Sequence, residues 1–483
     1  MLKFLLKNNF NLLVLFAYIL LCFSISSKSF DILFITKPEL NIIFFINFLR
    51  SIISSILIFL FIGFIFLNLF KKQIEIDSIL KLFFVYIFIQ IIGGINNPKI
   101  YQNYFEYDVI FNEFSNKILI SLFIFFDQNY YLICLSSILF FFLIINSFFK
   151  KFKIEYLLLT SFTIFFSYNL VLIFEIYKIF LTSNAFTAYG TMATDPSNNF
   201  FNHSVPRVTG VSRLFLFFYI FLTCYTFFII KKKTYIKVIL LYIFIIFSGS
   251  LIWSFQSRTV LLAKIIVDIL LLFFLHKKIR IKITIFLILT FLPIVFHYSI
   301  VIIKNQESRN LFLNETYLIF KKDFTKNNDH INLNNNLIIK NSRLFHENTS
   351  GRTEIWNKII KKSKESPFFG HGSQADRWHI NRSEAFYNNA SSALFYSLIC
   401  GGTLGALIYV LIFYETLKLV FFISLRKKYF FINNNLPTIS SFFILIALLL
   451  RSLVENSFML FSVDNIFFMT CYYILRKKVK QIS

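Results

Sequence analysis

Long apolar runs recur along most of this chain, and they constrain its fold more than any other feature. A helix needs about 20 largely apolar residues to cross the hydrocarbon core of a bilayer. Twelve segments meet this requirement with some trimming or tilt. They lie near residues 10–25, 48–70, 79–94, 129–149, 155–182, 212–230, 235–253, 259–275, 282–303, 391–424, 437–455 and 457–475. The sequence therefore predicts an all-α integral membrane protein with about 12 transmembrane helices.

The charge distribution predicts the orientation of these helices. Only 15% of the residues are charged, whereas soluble domains carry about 25%. The net charge of +25 is concentrated in short basic clusters that follow the even-numbered spans. Such clusters mark cytoplasmic helix ends, which places both termini in the cytoplasm and argues against nucleic acid as a partner. The clusters are Lys71-Lys72, Lys150-Lys151, Lys231 to Lys233, Lys277-Lys278, Arg426 to Lys428 and Arg476 to Lys478.

Polarity divides the chain into three segments. Residues 1–303 hold the first nine helices, residues 304–388 form a long extracytoplasmic loop, and residues 389–483 hold the last three helices. Between the third and fourth spans, residues 105–126 are typical of an interfacial helix or a re-entrant segment, and we assign them to the outer face.

The five cysteines lie in or beside apolar runs without metal-like spacing, so neither a disulfide framework nor a metal or other cofactor is predicted.

Two arginines open predicted helices on the outer face. Arg258 stands at the mouth of the hairpin between the seventh and eighth spans, and Arg352 follows Gly351 at the start of a short helix. The Arg258 side chain either snorkels to lipid headgroups or holds phosphate oxygens with its planar fork. The Arg352 position favours anions further, because helix N-termini present unpaired N–H groups. The stripe Ile355, Trp356, Ile359 and Ile360 is typical of an amphipathic helix on a membrane surface.

The segment that follows carries the remaining candidate groups. Several titratable side chains precede the tenth span, each of which is either a surface residue or a participant in proton transfer. They are His371, Asp376, Arg377, His379 and Glu384. Gly402 and Gly405 inside the span indicate close helix packing. Arg207 and Arg213 add two cations where the polar loop 183–211 enters the sixth span.

In these features the chain resembles the O-antigen ligase and O-antigen polymerase family of bacterial inner membranes. The resemblance covers the topology and rests mainly on residues 245–275 and 350–410. Three elements match: Ser-Arg-Thr at 257–259, Gly-Arg followed by Trp at 351–356, and Gly-His-Gly at 370–372. A fourth element in the family is a His-Asn pair, nine intervening residues and Gly-x-x-Gly. Here Ser391-Ser392 stands where that pair belongs, which favours a polymerase-like member over a ligase.

The resemblance implies a metal-independent glycosyltransferase that acts at the periplasmic face of the inner membrane. Its donor is a glycan on polyprenyl pyrophosphate, and its acceptor is a glycan or a lipid-linked saccharide. On this basis we predict a catalytic site that contains Arg258, Arg352, Ser391, His371 and Asp376. We predict substrate-binding roles for Arg207, Arg213, Arg377, His379 and Glu384. Arginines would stabilise the departing pyrophosphate, whereas the base for the acceptor hydroxyl stays open, and positioning alone is an alternative.

Two other function classes fit the same membrane architecture. A transporter or flippase of lipid-linked saccharides would bind the same headgroup without forming a bond. Such proteins usually show internal repeats and helices broken by Gly or Pro, whereas this chain shows no repeat and has 7 Pro. A scaffold protein would use the long loop as a docking site. The asymmetric outer loop favours the enzyme.

Overall fold

The computed structural model describes residues 2–25, 41–68, 74–96, 117–150, 152–167, 208–230, 235–255, 257–275, 279–304, 352–378, 390, 392–426, 436–459 and 463–482. Within these ranges every regular element is helical, as predicted, and there is no strand. The helices are α1 (Leu2–Ile25), α2 (Asn41–Asn68), α3 (Ser78–Asn96), α4 (Lys117–Phe148), α5 (Glu155–Ser167), α6 (Val208–Ile230), α7 (Tyr235–Ser254), α8 (Arg258–Leu275), α9 (Ile279–Lys304), α10 (Arg352–Ser363), α11 (Ala375–Trp378), α12 (Ala393–Leu425), α13 (Leu436–Ser452) and α14 (Val463–Ile482).

Each predicted span overlaps one of these helices. Three segments, Ser78–Asn96, Tyr131–Phe148 and Ala393–Leu425, are long and apolar enough to cross a membrane by length and composition. Shorter apolar helices, among them Asn11–Ile25 and Leu436–Ser452, accompany them over the described residues. The protein is therefore embedded in a membrane through its apolar helices. The number of crossings and the orientation of the termini remain predictions.

Several helix boundaries differ from the sequence-based expectation, and α1 and α2 begin earlier than predicted, at Leu2 and Asn41. Helix α4 begins at Lys117, so the end of the expected separate segment 105–126 belongs to the same helix as the fourth span. No glycine or proline lies between Lys117 and Phe148 to end that helix earlier. The last span begins later than predicted, because a 3₁₀ turn at Ser457–Met459 precedes α14.

The helices group into two compact units. The first unit comprises residues 1–165, 351–426 and 444–483, and the second comprises residues 166–350 and 427–443. In the first unit, α3 packs against α12, and Tyr18 of α1 hydrogen-bonds Ser161 (2.6 Å) and Thr470 (2.9 Å). This grouping follows tertiary contacts between chain ends. The division at residues 303 and 388 follows membrane topology and stays a prediction.

The second unit is built around α6, α7, α8 and α9. Its described core contains a buried ion pair in which Lys264 Nζ lies 2.7 Å from Asp268 Oδ2. Lys264 also donates to the carbonyl of Leu289 (2.9 Å), and Tyr219 donates to the other Asp268 oxygen (2.8 Å). A charge inside an apolar helix needs such partners, and these contacts join three helices.

Candidate functional site

Helix α10 presents Arg352 at its N-terminus, as the sequence predicts. Ile355 and Ile359 are buried, whereas Ile360 is 43% exposed and therefore lies off the predicted stripe. Trp356 stacks on Phe395 of α12 with ring centroids 4.9 Å apart. Helix α10 is thus packed against the beginning of α12.

Helix α12 is interrupted at Gly402, and a loop from the segment after α10 fills the interruption. Gly402 has φ 63° and ψ −157°, which breaks the helical hydrogen-bond pattern. Four backbone bonds connect the loop to the groups that the break releases. They join His371 N to Ile399 O (2.9 Å), Gly372 N to Cys400 O (3.0 Å), Thr403 N to Pro367 O (2.7 Å) and Leu404 N to Phe368 O (3.3 Å). A break in an apolar helix is tolerated where other protein groups satisfy the freed backbone groups in this way.

Glycines make this insertion possible. A Cβ atom on Gly402 would lie 2.4 Å from the carbonyl oxygen of Phe368, and one on Gly370 would lie 2.5 Å from the Gly402 nitrogen. On the opposite side of the loop, a Cβ on Gly93 of α3 would lie 2.3 Å from the Phe369 oxygen. The predicted close-packing role of Gly402 is therefore confirmed, although the partner is a loop and not a neighbouring helix. The loop is held between α3 and α12.

His371 and Asp376 are both buried next to this loop. His371 is 2% exposed, and its Nε2 lies 3.1 Å from the carbonyl oxygen of Lys362 in the last turn of α10. Burial lowers the pKa of the His371 imidazole from its usual value, so the neutral ring is favoured. A neutral ring protonated on Nε2 donates to that carbonyl and caps α10.

The backbone around residue 391 is held from both sides. Asp376 Oδ2 accepts the Ala390 N–H (3.0 Å), and Trp356 Nε1 donates to the Ala390 carbonyl (2.9 Å). On the other side, the Ser392 N–H donates to Asn456 Oδ1 (3.2 Å). Ser391 itself lies outside the described residues. Its two neighbours are anchored by α10, α11 and the turn between α13 and α14.

A charged cluster that the sequence analysis did not single out lies in that same turn region. Arg451 is 1% exposed, and its Nη1 lies 2.8 Å from Asp464 Oδ2. Its Nη2 pairs with the Glu455 carboxylate, one helical turn further along the chain. Glu455 is half-buried, and Asn456 follows it directly. Opposite charges at i and i+4 inside an apolar run are the sequence signal that would have identified Arg451 and Glu455.

Arg258 and Arg213 belong to the second unit. Helix α8 begins at Arg258, so the predicted Ser-Arg-Thr helix start is confirmed. Arg258 is exposed, whereas the flanking Ser257 is buried and its carbonyl accepts the Leu261 N–H (2.9 Å). Arg213 lies half-buried near the start of α6.

For the remaining predicted site residues the structure describes no side-chain positions. Arg207, His379 and Glu384 lie outside the described residues, and Arg377 is described only as part of the α11 backbone. Over the described residues there is no group of three His, Cys, Asp or Glu side chains that could hold a metal ion.

Residues 243–410 match the family model described as O-antigen ligase. No curated protein and no solved structure matches the chain in the corresponding comparisons. The matched region contains α8 with Arg258, α10 with Arg352, and the break in α12 at Gly402. Such a domain implies glycan transfer of the O-antigen ligase type in the synthesis of surface polysaccharide. Over residues 243–410, this membrane protein is therefore similar to the O-antigen ligase family.

Proposed function

We propose that this protein is a glycosyltransferase that extends or transfers glycans from a polyprenyl-pyrophosphate carrier at the periplasmic face of the bacterial inner membrane. The proposal rests on the family match, and one structural observation supports it most. Helix α10, which begins at Arg352, packs against the beginning of α12, and the loop that contains His371 fills the break in α12. Asp376 of α11 accepts the Ala390 N–H just before α12. This arrangement collects a guanidinium and two titratable groups beside the start of one apolar helix.

The chemistry proceeds by inverting displacement at the anomeric carbon of the donor sugar. The acceptor hydroxyl attacks, the bond from the anomeric carbon to the diphosphate oxygen breaks, and negative charge develops on the leaving diphosphate. Arg352 and Arg258 stabilise that charge, because a guanidinium fork binds phosphate oxygens bidentately and acts strongly where water is scarce. Arg213, Arg207 and Arg377 contribute further positive charge, and His379 and Glu384 bind the sugars. Ser391 offers a hydrogen bond to the acceptor.

The leading test replaces Arg258 and Arg352 separately with Ala and with Lys. Each Ala variant is expected to reduce glycan extension by on the order of 10²-fold or more while membrane insertion is unchanged. Lys variants are expected to rescue poorly, because an ammonium lacks the planar fork. The matched control is Arg426→Ala, at the far end of α12, where the guanidinium lies 4.4 Å from the Phe422 ring. Full activity in both Ala variants would contradict the proposed binding of the leaving diphosphate by Arg258 and Arg352.

Glycan profiles of a deletion strain distinguish the transferase from a flippase of lipid-linked saccharides. Single repeat units on the final lipid indicate loss of a polymerase, and polymer that stays on the carrier indicates loss of a ligase. Carrier-linked units that accumulate on the cytoplasmic side indicate loss of a flippase, and that result would contradict the proposal. Since Ser391-Ser392 replaces the His-Asn pair, we favour the polymerase outcome.

A further inference from the structure

We propose that Glu455 is the general base that accepts the proton of the attacking acceptor hydroxyl, with Arg451 as its positioning residue and Asn456 as a second contact for the acceptor sugar. This inference rests on the proposed glycosyl transfer and supplies the base that the sequence motifs leave unassigned. It assigns a role to residues beyond the region 243–410 that matches the family model.

The location of Glu455 is the first argument. The turn between α13 and α14 reaches the beginning of α12, because Asn456 Oδ1 accepts the Ser392 N–H at 3.2 Å. Trp356 of α10 and Asp376 of α11 hold the same segment at Ala390. Glu455 therefore lies one residue from a side chain that anchors the segment to which α10 and α11 are also bound.

The state of the Glu455 carboxylate is the second argument. Arg451 is 1% exposed and holds Glu455 through Nη2 and Asp464 through Nη1. The Glu455 side chain keeps 17% of its surface exposed, whereas Asp464 is fully buried. Of the two carboxylates in this cluster, Glu455 is the one with exposed surface. A carboxylate accepts several hydrogen bonds, so one that is held by a guanidinium is able to accept another from a hydroxyl.

Asn456 is the third argument. Asn456 is 6% exposed, and its Nδ2 has no hydrogen-bond partner among the described residues, although its Oδ1 accepts the Ser392 N–H. Buried polar groups are normally satisfied. An amide N–H beside an accessible carboxylate is suited to a sugar that presents neighbouring hydroxyls, one as a donor and one as an acceptor.

Two other titratable groups near the start of α12 contact backbone atoms. Asp376 binds the Ala390 N–H, and His371 contacts the carbonyl of Lys362. Both contacts hold the backbone of this region in place. Glu455, in contrast, is held by a side chain and keeps its exposed surface.

The proton transfer balances without a co-reactant. The acceptor O–H proton passes to Glu455 as the acceptor oxygen forms a bond to the anomeric carbon. The bond between that carbon and the diphosphate oxygen breaks, and its electron pair leaves with polyprenyl diphosphate. Glu455 then releases the proton to water or to the departing diphosphate.

The test uses the full-length protein in lipid nanodiscs with a polyprenyl-pyrophosphate oligosaccharide donor, and it measures kcat and KM by product length. Glu455→Gln keeps the shape and an acceptor for Arg451 but removes the basic oxygen, so kcat is expected to fall about 10²–10⁴-fold with little change in the donor KM. Glu455→Asp is expected to retain part of kcat. Sodium formate is expected to restore activity to Glu455→Ala, because a small carboxylate replaces the missing base. The matched control is Glu75→Gln. Glu75 is also paired with a cation, Lys150, but it lies half-exposed in the segment between α2 and α3.

The outcomes separate the two proposals. If the wild-type protein transfers no glycan from any such donor, the proposed function fails and the role of Glu455 fails with it. If the wild type is active and Glu455→Gln retains its kcat, only the role of Glu455 is overturned. Loss of activity without formate rescue in Glu455→Ala, together with an equal loss in Glu455→Asp, would identify a purely structural carboxylate and also overturn the inference.

Discussion

The break in α12 yields the sharpest stability prediction, which concerns Gly402→Ala. Gly402 has φ 63° and ψ −157°, a backbone region that is almost reserved for glycine and that costs other residues about 1–3 kcal/mol. The new Cβ would also lie 2.4 Å from the backbone carbonyl of Phe368. That carbonyl is part of the inserted loop and cannot move without breaking hydrogen bonds.

The size of the effect follows from these contacts. Displacing the loop releases the bonds from Thr403 N to Pro367 O (2.7 Å) and from Leu404 N to Phe368 O (3.3 Å). Each buried group that loses its partner costs about 1–3 kcal/mol. Added to the backbone strain, the low ends of these ranges lower the free energy of unfolding by at least about 3 kcal/mol. This corresponds to roughly a 100-fold change in the unfolding equilibrium.

Reversible unfolding of the purified protein in mixed detergent and SDS micelles measures this difference. Gly63→Ala is the matched control, because Gly63 lies in α2 with nothing within 4 Å of its added Cβ. There the helix gains up to about 1 kcal/mol from the replacement of glycine. If Gly402→Ala unfolds at the same SDS fraction as Gly63→Ala, the inserted loop does not occupy the break, and the reasoning is refuted.

Two further predictions concern buried titratable groups. Asp268→Asn leaves Lys264 charged inside the second unit and should lower the free energy of unfolding by about 3–5 kcal/mol, measured by the same SDS titration. The double variant Lys264→Met and Asp268→Leu should recover most of this loss. A double variant as unstable as Asp268→Asn alone would contradict this. Burial lowers the pKa of His371, so the unfolded chain binds a proton first as the pH falls through 6.5, and stability should decrease in that window. His371→Gln keeps a donor for the Lys362 carbonyl and should flatten this pH dependence, and an unchanged slope would exclude His371 as its source.

Much of the secondary structure was predictable because its causes are local. An apolar run sets where a membrane helix lies, and the helix starts at Arg258 and Arg352 follow from polar or glycine residues directly before the run. The start of α4 at Lys117 was not predicted because Asp127, Gln128 and Asn129 interrupt the apolar run, although these residues do not end the helix.

The site was only partly predictable for the same physical reason. Sequence motifs identified Arg352, His371 and Asp376 as neighbours in the chain, and the structure packs their segment beside the start of α12. They did not identify Glu455, because it is brought near residue 391 by a hydrogen bond between Asn456 and Ser392, and these two residues are far apart in the chain.

The sequence by itself determined that this chain is a bundle of apolar helices, since the period and length of apolar runs are fixed by helix geometry and bilayer thickness. It also determined which cations lie next to helix starts. Only the tertiary structure decided that Gly402 interrupts α12 and that residues 367–372 supply the missing backbone partners. It likewise decided that the charges of Lys264 and Arg451 are neutralised inside the protein. A charge within an apolar run has the same sequence pattern whether it reaches the headgroups or pairs with a distant carboxylate, and packing alone selects between them.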